Sequence, residues 1–269
     1  ARSLKGVGLV EQSHRTVPFP RARRAVIDAG RLAIRRHIVH GLLEIDVTQA
    51  RRLVRDHSAR TSERLSFTGF IINSLAQAVQ DQPKVQAYRD WRNRLVIFED
   101  VDVVTLIETE ADGVALPHII RAANRKSLHD IHREIRAVQG QPRKSEQERG
   151  LARLGPHAPR FARSLFYWAL RQSPHWMKRH AGTVVVTAVG MFGRGTGWGL
   201  GFLPMHTLGL TVGGIAERLA LVDGQLSARE HLCVTISLDH DVVDGAPAAR
   251  FARRFRDLVE SGYELPGAE

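Results

Sequence analysis

The chain contains 269 residues, of which 43% are hydrophobic and 25% are charged, a composition typical of a globular protein and not of a disordered one. This length suffices for one large domain or two small ones. A single cysteine excludes a disulfide scaffold and a cysteine-rich zinc site, and it indicates a reducing compartment, so we expect a cytoplasmic protein. No apolar run is long enough to predict a membrane-spanning helix.

The charge of the chain is strongly basic, with 39 lysines and arginines against 28 acidic residues and a formal net charge of +11. Arginines make up almost all of the basic residues, and they are scattered along the chain. Because neither a zinc-finger spacing nor a basic block accompanies them, the pattern argues against a nucleic-acid-binding protein. Phosphate-bearing small molecules and acidic protein partners remain compatible with the charge.

Helices and strands alternate in the first half of the predicted structure. Residues 1–16 are polar and predict a flexible N-terminal arm. In chain order we then predict a helix that begins after Pro18 or Pro20 and lies within 16–37, a strand at 40–47, a helix after Thr48, a buried helix at 66–79, one or two strands within 94–108, a strand at 114–120 and a helix at 128–138.

Residues 139–181 interrupt this alternation. They begin with a polar stretch and then predict a short basic amphipathic helix at 160–171, which we expect to fold against its own domain and not onto a membrane. After this segment the chain is rich in strands, which we predict at 183–189, 207–215, 218–222 and 230–238, and it ends in a helix from Pro247 to Val259. The order of elements predicts an α/β protein with a mixed sheet.

A histidine follows the last predicted strand, where the backbone leaves the sheet and a side chain can point into a cleft. His240 is a candidate general base, because imidazole is the natural base near neutral pH. Asp244 and Gly245 allow a tight turn before the last helix, and Asp244 could pair with an arginine. On its own, a histidine at a strand end with acidic neighbours is more often structural than catalytic.

The segment DHDVVDGAPAARF, at 239–251, resembles the signature of the 2-oxo acid dehydrogenase (dihydrolipoamide) acyltransferases, which are related in fold to chloramphenicol acetyltransferase. Similar motifs at 17–27, 112–120 and 182–193 occur in the family's order, so the resemblance spans residues 17–261. Two positions depart from the family pattern. Asp241 stands where the family usually has arginine, and Ala188 stands where it commonly has asparagine.

The resemblance implies a chloramphenicol acetyltransferase-like two-layer fold with a mixed β-sheet and packed helices, formed by one catalytic domain at 17–269 with an insertion at about 139–181. It implies acyl transfer between coenzyme A and the thiol of dihydrolipoamide. His240 would be the general base, and the Thr187 hydroxyl would stabilise the oxyanion. Asp244 would hold the catalytic loop by pairing with an arginine, best matched here by Arg23, and Gly245 would support the same loop.

The resemblance also implies a homotrimer whose active sites lie between subunits. The lipoyl group would come from another, acidic protein, and no metal is expected. Coenzyme A phosphates should meet arginines that the sequence does not identify. We interpret the glycine-rich run at 193–201 as a conformational requirement and not as a phosphate-binding loop. Two alternatives stay open: a stand-alone acyl-coenzyme A-dependent acyltransferase with a small-molecule acceptor, and a catalytically silent trimeric scaffold or regulatory protein.

Overall fold

The computed structural model describes residues 15–19, 23–34, 36–108, 115–140, 158–189, 195–222 and 224–268. Their strands form a six-stranded mixed sheet and a separate two-stranded one. The strands are β1 Ile38–Asp46, β2 Tyr88–Arg89, β3 Leu95–Val96, β4 Val103–Glu108, β5 Ala115–Ile120, β6 Val184–Ala188, β7 Leu208–Val222 and β8 Gln225–Asp239, and the order across the large sheet is β1-β8-β7-β6-β4-β5. Strand β6 pairs in parallel with both of its neighbours, and the other pairs are antiparallel.

A layer of helices covers one face of this sheet. The helices are α1 Arg23–Ala33, α2 Thr48–Thr61, α3 Phe67–Asp81, α4 Leu128–Gly140, α5 Arg160–Gln172, α6 Pro174–Ala181 and α7 Gly245–Ser261. Side chains of α2, α3, α4 and α7 form one continuous core with alternate residues of the strands, among them the fully buried Phe70, Phe251 and Phe255. The predicted two-layer α/β fold with a mixed sheet is therefore confirmed.

Strands β7 and β8 form a long hairpin, with 15 residues in each strand. The sequence predicted a break between 215 and 218, but β7 runs through this region as one strand. The irregularity lies earlier, because the pairing register shifts between Val212 and Ile215. A bulge of this kind bends a strand without ending it.

The boundaries near the N-terminus also differ from the predicted ones. Helix α1 ends at Ala33, and β1 already begins at Ile38, so Arg36 and His37 lie in the short connection between them. Most of the predicted flexible arm at 1–16 lies outside the described residues. None of the helices in the described ranges is long and apolar enough to cross a bilayer.

The described part of the segment between α4 and β6, residues 158–183, contains two helices, of which the sequence predicted only α5. Helix α5 lies against α1, where Arg163 Nε is 2.6 Å from Asp28 Oδ2 in a largely buried ion pair. Helix α6 is held at its C-terminus by Arg121, which donates to the carbonyl oxygens of Lys178 and Arg179 at 2.7 and 2.5 Å. A cation at this position satisfies backbone acceptors that the end of a helix leaves open.

Candidate active site

The last strand ends in a buried ion pair. The Asp239 carboxylate lies 3.0 Å from the Arg36 guanidinium, and both side chains are largely buried. Arg36 also donates to the carbonyl oxygen of His206 at 2.6 Å, while the amide of Asp239 donates to the carbonyl oxygen of Thr207 at 2.9 Å. These contacts fix the end of β8 against the connection that precedes β1.

The next two residues are held from the same side. The His37 ring nitrogen Nδ1 lies 2.8 Å from Asp241 Oδ1, and the His37 carbonyl oxygen accepts the amide of His240 at 2.9 Å. The hydrogen bond to Asp241 raises the pKa of His37, and the same bond lowers the pKa of Asp241. Arg36 and His37 thus bind three consecutive residues of the signature, and we call these contacts the loop clamp.

The side chain of His240 is exposed and makes no hydrogen bond to the described residues. Its backbone is fixed by the loop clamp, so the imidazole projects from a rigid support. Asp244 precedes α7, where its carbonyl oxygen accepts the amide of Ala248 at 3.1 Å, and Gly245 is the first helical residue. The Asp244 carboxylate is exposed and makes no capping bond. The Arg23 side chain lies outside the described part of the chain, so the Asp244–Arg23 pair stays a prediction.

Thr187 lies on the sheet face that points away from the helical core. In the register of the sheet it is aligned with Thr211 on β7, which in turn is aligned with Thr235 on β8. Thr187 is half-buried, whereas Thr211 and Thr235 are buried. We call this the threonine row. The segment after β6 crosses it closely, because a Cβ atom at Gly201 would lie 2.2 Å from Thr211 Oγ1. This contact fits a conformational role for the glycines.

Within one chain, His240 and Thr187 are far apart. Thr235 is in register with Thr187 two strands away, and His240 follows Thr235 by five residues. With a rise of about 3.3 Å per residue and a strand spacing of about 4.8 Å, the separation is about 19 Å. A base and an oxyanion donor must both lie about 3 Å from the same reacting atoms. One chain therefore does not bring the two predicted groups together.

Sequence reasoning missed the loop clamp. Arg36 and His37 were placed inside the predicted helix at 16–37, and Asp239 received no role of its own. The pairing of His37 with Asp241 joins residues 204 positions apart, which no local pattern reveals. The one available signal was Asp241 itself, a carboxylate in a position that the related family usually fills with arginine.

The fold and the placement of these side chains define the class as an α/β catalytic domain with the chloramphenicol acetyltransferase architecture. The chain belongs to the 2-oxoacid dehydrogenases acyltransferase (catalytic domain) family, whose model matches residues 11–149 and 172–265. The match leaves out residues 150–171, which include most of α5.

Relatives and solved structures agree with this assignment. The lipoamide acyltransferase component of the branched-chain α-keto acid dehydrogenase complex of Bacillus subtilis is 25% identical over 226 residues, which cover 82% of this chain and 46% of that protein. The chain spans less than half the length of such curated relatives.

Among solved structures, a probable dihydrolipoamide acetyltransferase from Listeria monocytogenes superposes with a TM-score of 0.72 at 19% identity, covering 96% of this chain and 99% of that one. A chloramphenicol acetyltransferase superposes with a TM-score of 0.52 at 12% identity, covering 87% of this chain and 94% of that one. At these identities the structures support the fold.

Proposed function

We propose that the protein transfers an acyl group between coenzyme A and the thiol of a dihydrolipoyl group, at sites that form between neighbouring copies of the chain. The observation that carries this proposal is the position of His240, exposed beyond the end of β8 and held by its backbone to His37. The proposal also draws on the family, whose relative in Bacillus subtilis is named a lipoamide acyltransferase component.

The reaction assigns one task to each group. His240 removes the proton of the attacking thiol, and the thiolate adds to the carbonyl carbon of the thioester. The hydroxyl of Thr187 from a neighbouring copy donates a hydrogen bond to the oxyanion of the tetrahedral intermediate. When the intermediate collapses, the carbon–sulfur bond to the original thiol breaks, and the protonated His240 returns its proton to the leaving thiolate.

A homotrimer provides such a neighbouring copy, and the sheet face that carries the threonine row has the surface for it. Leu42 of β1 is aligned with Thr235 and is exposed, as are Trp198, Leu200 and Phe202 on the crossing segment. The Trp198 indole donates to the carbonyl oxygen of Leu43 at 3.2 Å, which fixes this segment over the edge of the sheet. Exposed apolar patches of this kind mark protein association surfaces.

The net charge of the chain indicates the chemistry of its other binding partners. With a net charge of +11, and three times that in a trimer, the surface favours an acidic lipoyl-bearing protein and the phosphates of coenzyme A. The one cysteine, Cys233, is free and buried, which fits the cytoplasmic location that we propose.

The test is an assay of acyl transfer. The protein is incubated with acetyl- or another acyl-coenzyme A and dihydrolipoamide, and the release of coenzyme A thiol is followed. We expect turnover that His240→Ala abolishes. If the protein transfers the acyl group only to a free small-molecule acceptor, that acceptor and not the dihydrolipoyl thiol is the substrate. If the protein shows no turnover with any acyl group and does not bind coenzyme A, the proposal is overturned in favour of a silent scaffold.

A further inference from the structure

A cavity of about 680 Å³ lies beside the signature loop, on the side where Asp239, Asp241 and Val242 face the inserted helix α5. This volume is within the range of small-molecule sites. Neither His240 nor Thr187 lines the cavity. One wall comes from α5, most of which lies outside the segments that match the family model.

The orientation of α5 explains which side chains enter the cavity. Arg163 is anchored to Asp28, and Tyr167 and Leu170 contribute to a small apolar cluster with residues from β2 and α6. This side of the helix faces the domain. The neighbouring stripe at helical spacing, formed by Ser164, Trp168 and Arg171, is therefore turned into the cavity.

The cavity contains more positive than negative charge. Its three carboxylates are already paired: Asp90 with Arg94 at 2.8 Å, Asp239 with Arg36 and Asp241 with His37. Arg89 and Arg171 also line the cavity, and neither has a carboxylate within ion-pair distance among the described residues. The two guanidinium groups are thus available to an external anion.

Two further observations agree with an anion at this place. Burial lowers the pKa of Arg36, and the nearby charge of Arg171 lowers it further, a repulsion that an anion between them would relieve. The charge of Arg89 contributes to the lowered pKa of Asp241, which places Arg89 near the signature loop.

Two indole rings make the cavity suitable for a flat ligand. Trp168 on α5 and Trp91 in the turn between β2 and β3 are 58% and 65% exposed. One face of Trp91 is covered by the Arg92 guanidinium at 4.4 Å. Each of these exposed indoles can stack on an aromatic or heteroaromatic ring.

We propose that this cavity binds a small organic anion that carries a ring, with its phosphate or carboxylate held by Arg89 and Arg171 and its ring stacked on Trp168. A guanidinium holds both kinds of anion in the same forked geometry. The site is additional to the reacting groups of the proposed function.

The test is calorimetric titration of the whole chain with three probes: adenosine diphosphate, phenylacetate and inorganic phosphate. We expect at least one ring-bearing probe to bind about tenfold more tightly than inorganic phosphate, because it adds a stacking contact to the charge pairing. Preference for adenosine diphosphate identifies a nucleotide phosphate as the natural chemistry, and preference for phenylacetate identifies an aromatic carboxylate.

Variants locate the binding. Arg171→Gln and Arg89→Gln should each weaken the ring-bearing probe about tenfold, the value of one charge-assisted hydrogen bond. Trp168→Ala should weaken the binding of the ring-bearing probe and leave the binding of inorganic phosphate unchanged. Arg52→Gln is the matched control, since Arg52 is exposed on α2 and does not line the cavity.

Two results would overturn the proposal: ring-bearing probes that bind no better than inorganic phosphate, or unchanged binding in both cavity arginine variants. Acyl transfer is measured separately in the same proteins. Binding of the probes without acyl transfer would contradict the proposed function but not the cavity site. Acyl transfer without binding of the probes would contradict the cavity site but not the proposed function.

Discussion

The Nδ1 atom of His37 lies 2.8 Å from Oδ1 of Asp241, so the carboxylate that departs from the family signature has an imidazole partner in the connection before β1. The carbonyl oxygen of the same histidine accepts the amide of His240. His37 is therefore a positioning residue for the loop that carries the predicted base, and Asp241 is the side chain through which it acts.

Substitution of Asp241 should change the titration of His37. The hydrogen bond to Asp241 raises the pKa of His37, so Asp241→Asn should return that pKa towards 6.5. The ion pair between His37 and Asp241 is complete while His37 is protonated, and its charge contribution is lost as the pH rises through the raised pKa. Proton NMR of the His37 ring measures this directly. Asp257→Asn, at an exposed site on α7, is the control, and an identical His37 titration in both variants would show that the pair does not form in solution.

Breaking the buried ion pair between Arg36 and Asp239 should destabilise the fold more than breaking an exposed ion pair. Arg36→Met leaves the Asp239 carboxylate buried without its partner, and we expect a loss of about 3–5 kcal/mol in the free energy of unfolding. Arg55→Gln, which removes an exposed pair with Glu230, should cost about 1 kcal/mol or less. Urea denaturation compares the two. Similar losses in both variants would mean that the end of β8 does not depend on Arg36.

His206 should make the fold sensitive to acid. Burial lowers its pKa to about 4, while its Nε2 lies 2.6 Å from the carbonyl oxygen of Ala181. Between pH 6.5 and pH 4 the unfolded chain binds a proton at this residue and the folded chain does not, so stability falls as the pH is lowered. His206→Gln should reduce this dependence in urea denaturation across that range. A variant with the same slope as the wild type would exclude His206 as its source.

The close packing of β7 against the glycine-rich segment should tolerate a methyl group at Gly197 on the segment but not at Gly213 on β7. A Cβ atom at Gly213 would lie 2.2 Å from the carbonyl oxygen of Gly197 and 2.9 Å from that of Cys233, whereas a Cβ at Gly197 meets nothing within 4 Å. We expect Gly213→Ala to destabilise the fold by about 1–3 kcal/mol and to lower acyl transfer. Gly197→Ala should resemble the wild type. Thermal unfolding gives the comparison, and equal stability of the two variants would contradict the observed packing.

Local patterns predicted the parts of the molecule that depend on neighbours in sequence. The apolar runs around Phe70 and Val184 identified a buried helix and a central strand, and the segment 239–251 predicted the family and its fold. The long-range pairs escaped prediction. Arg36 contacts Asp239 and His37 contacts Asp241 only because β1 and β8 are neighbours in the sheet. The sequence of neither segment alone predicts that these strands pair.

The cavity could not be predicted for a related reason. Its walls come from α5, from the turn between β2 and β3 and from the signature loop, which are distant in sequence. The amphipathic pattern at 160–171 predicted a helix, but not that Trp168 and Arg171 would face the signature loop. That orientation follows from the Arg163–Asp28 pair, a contact across 135 positions.

Complementation between two inactive variants tests whether His240 of one chain acts with Thr187 of another. His240→Ala and Thr187→Ala are each expected to lose acyl transfer, the latter by about 10²–10³-fold. When equal amounts of the two are unfolded together and reassembled at random, about a quarter of all sites in the sample should be intact, since each site draws one residue from each of two chains. Recovery at that level supports shared sites. Mixed trimers that remain as inactive as the separate variants would contradict them.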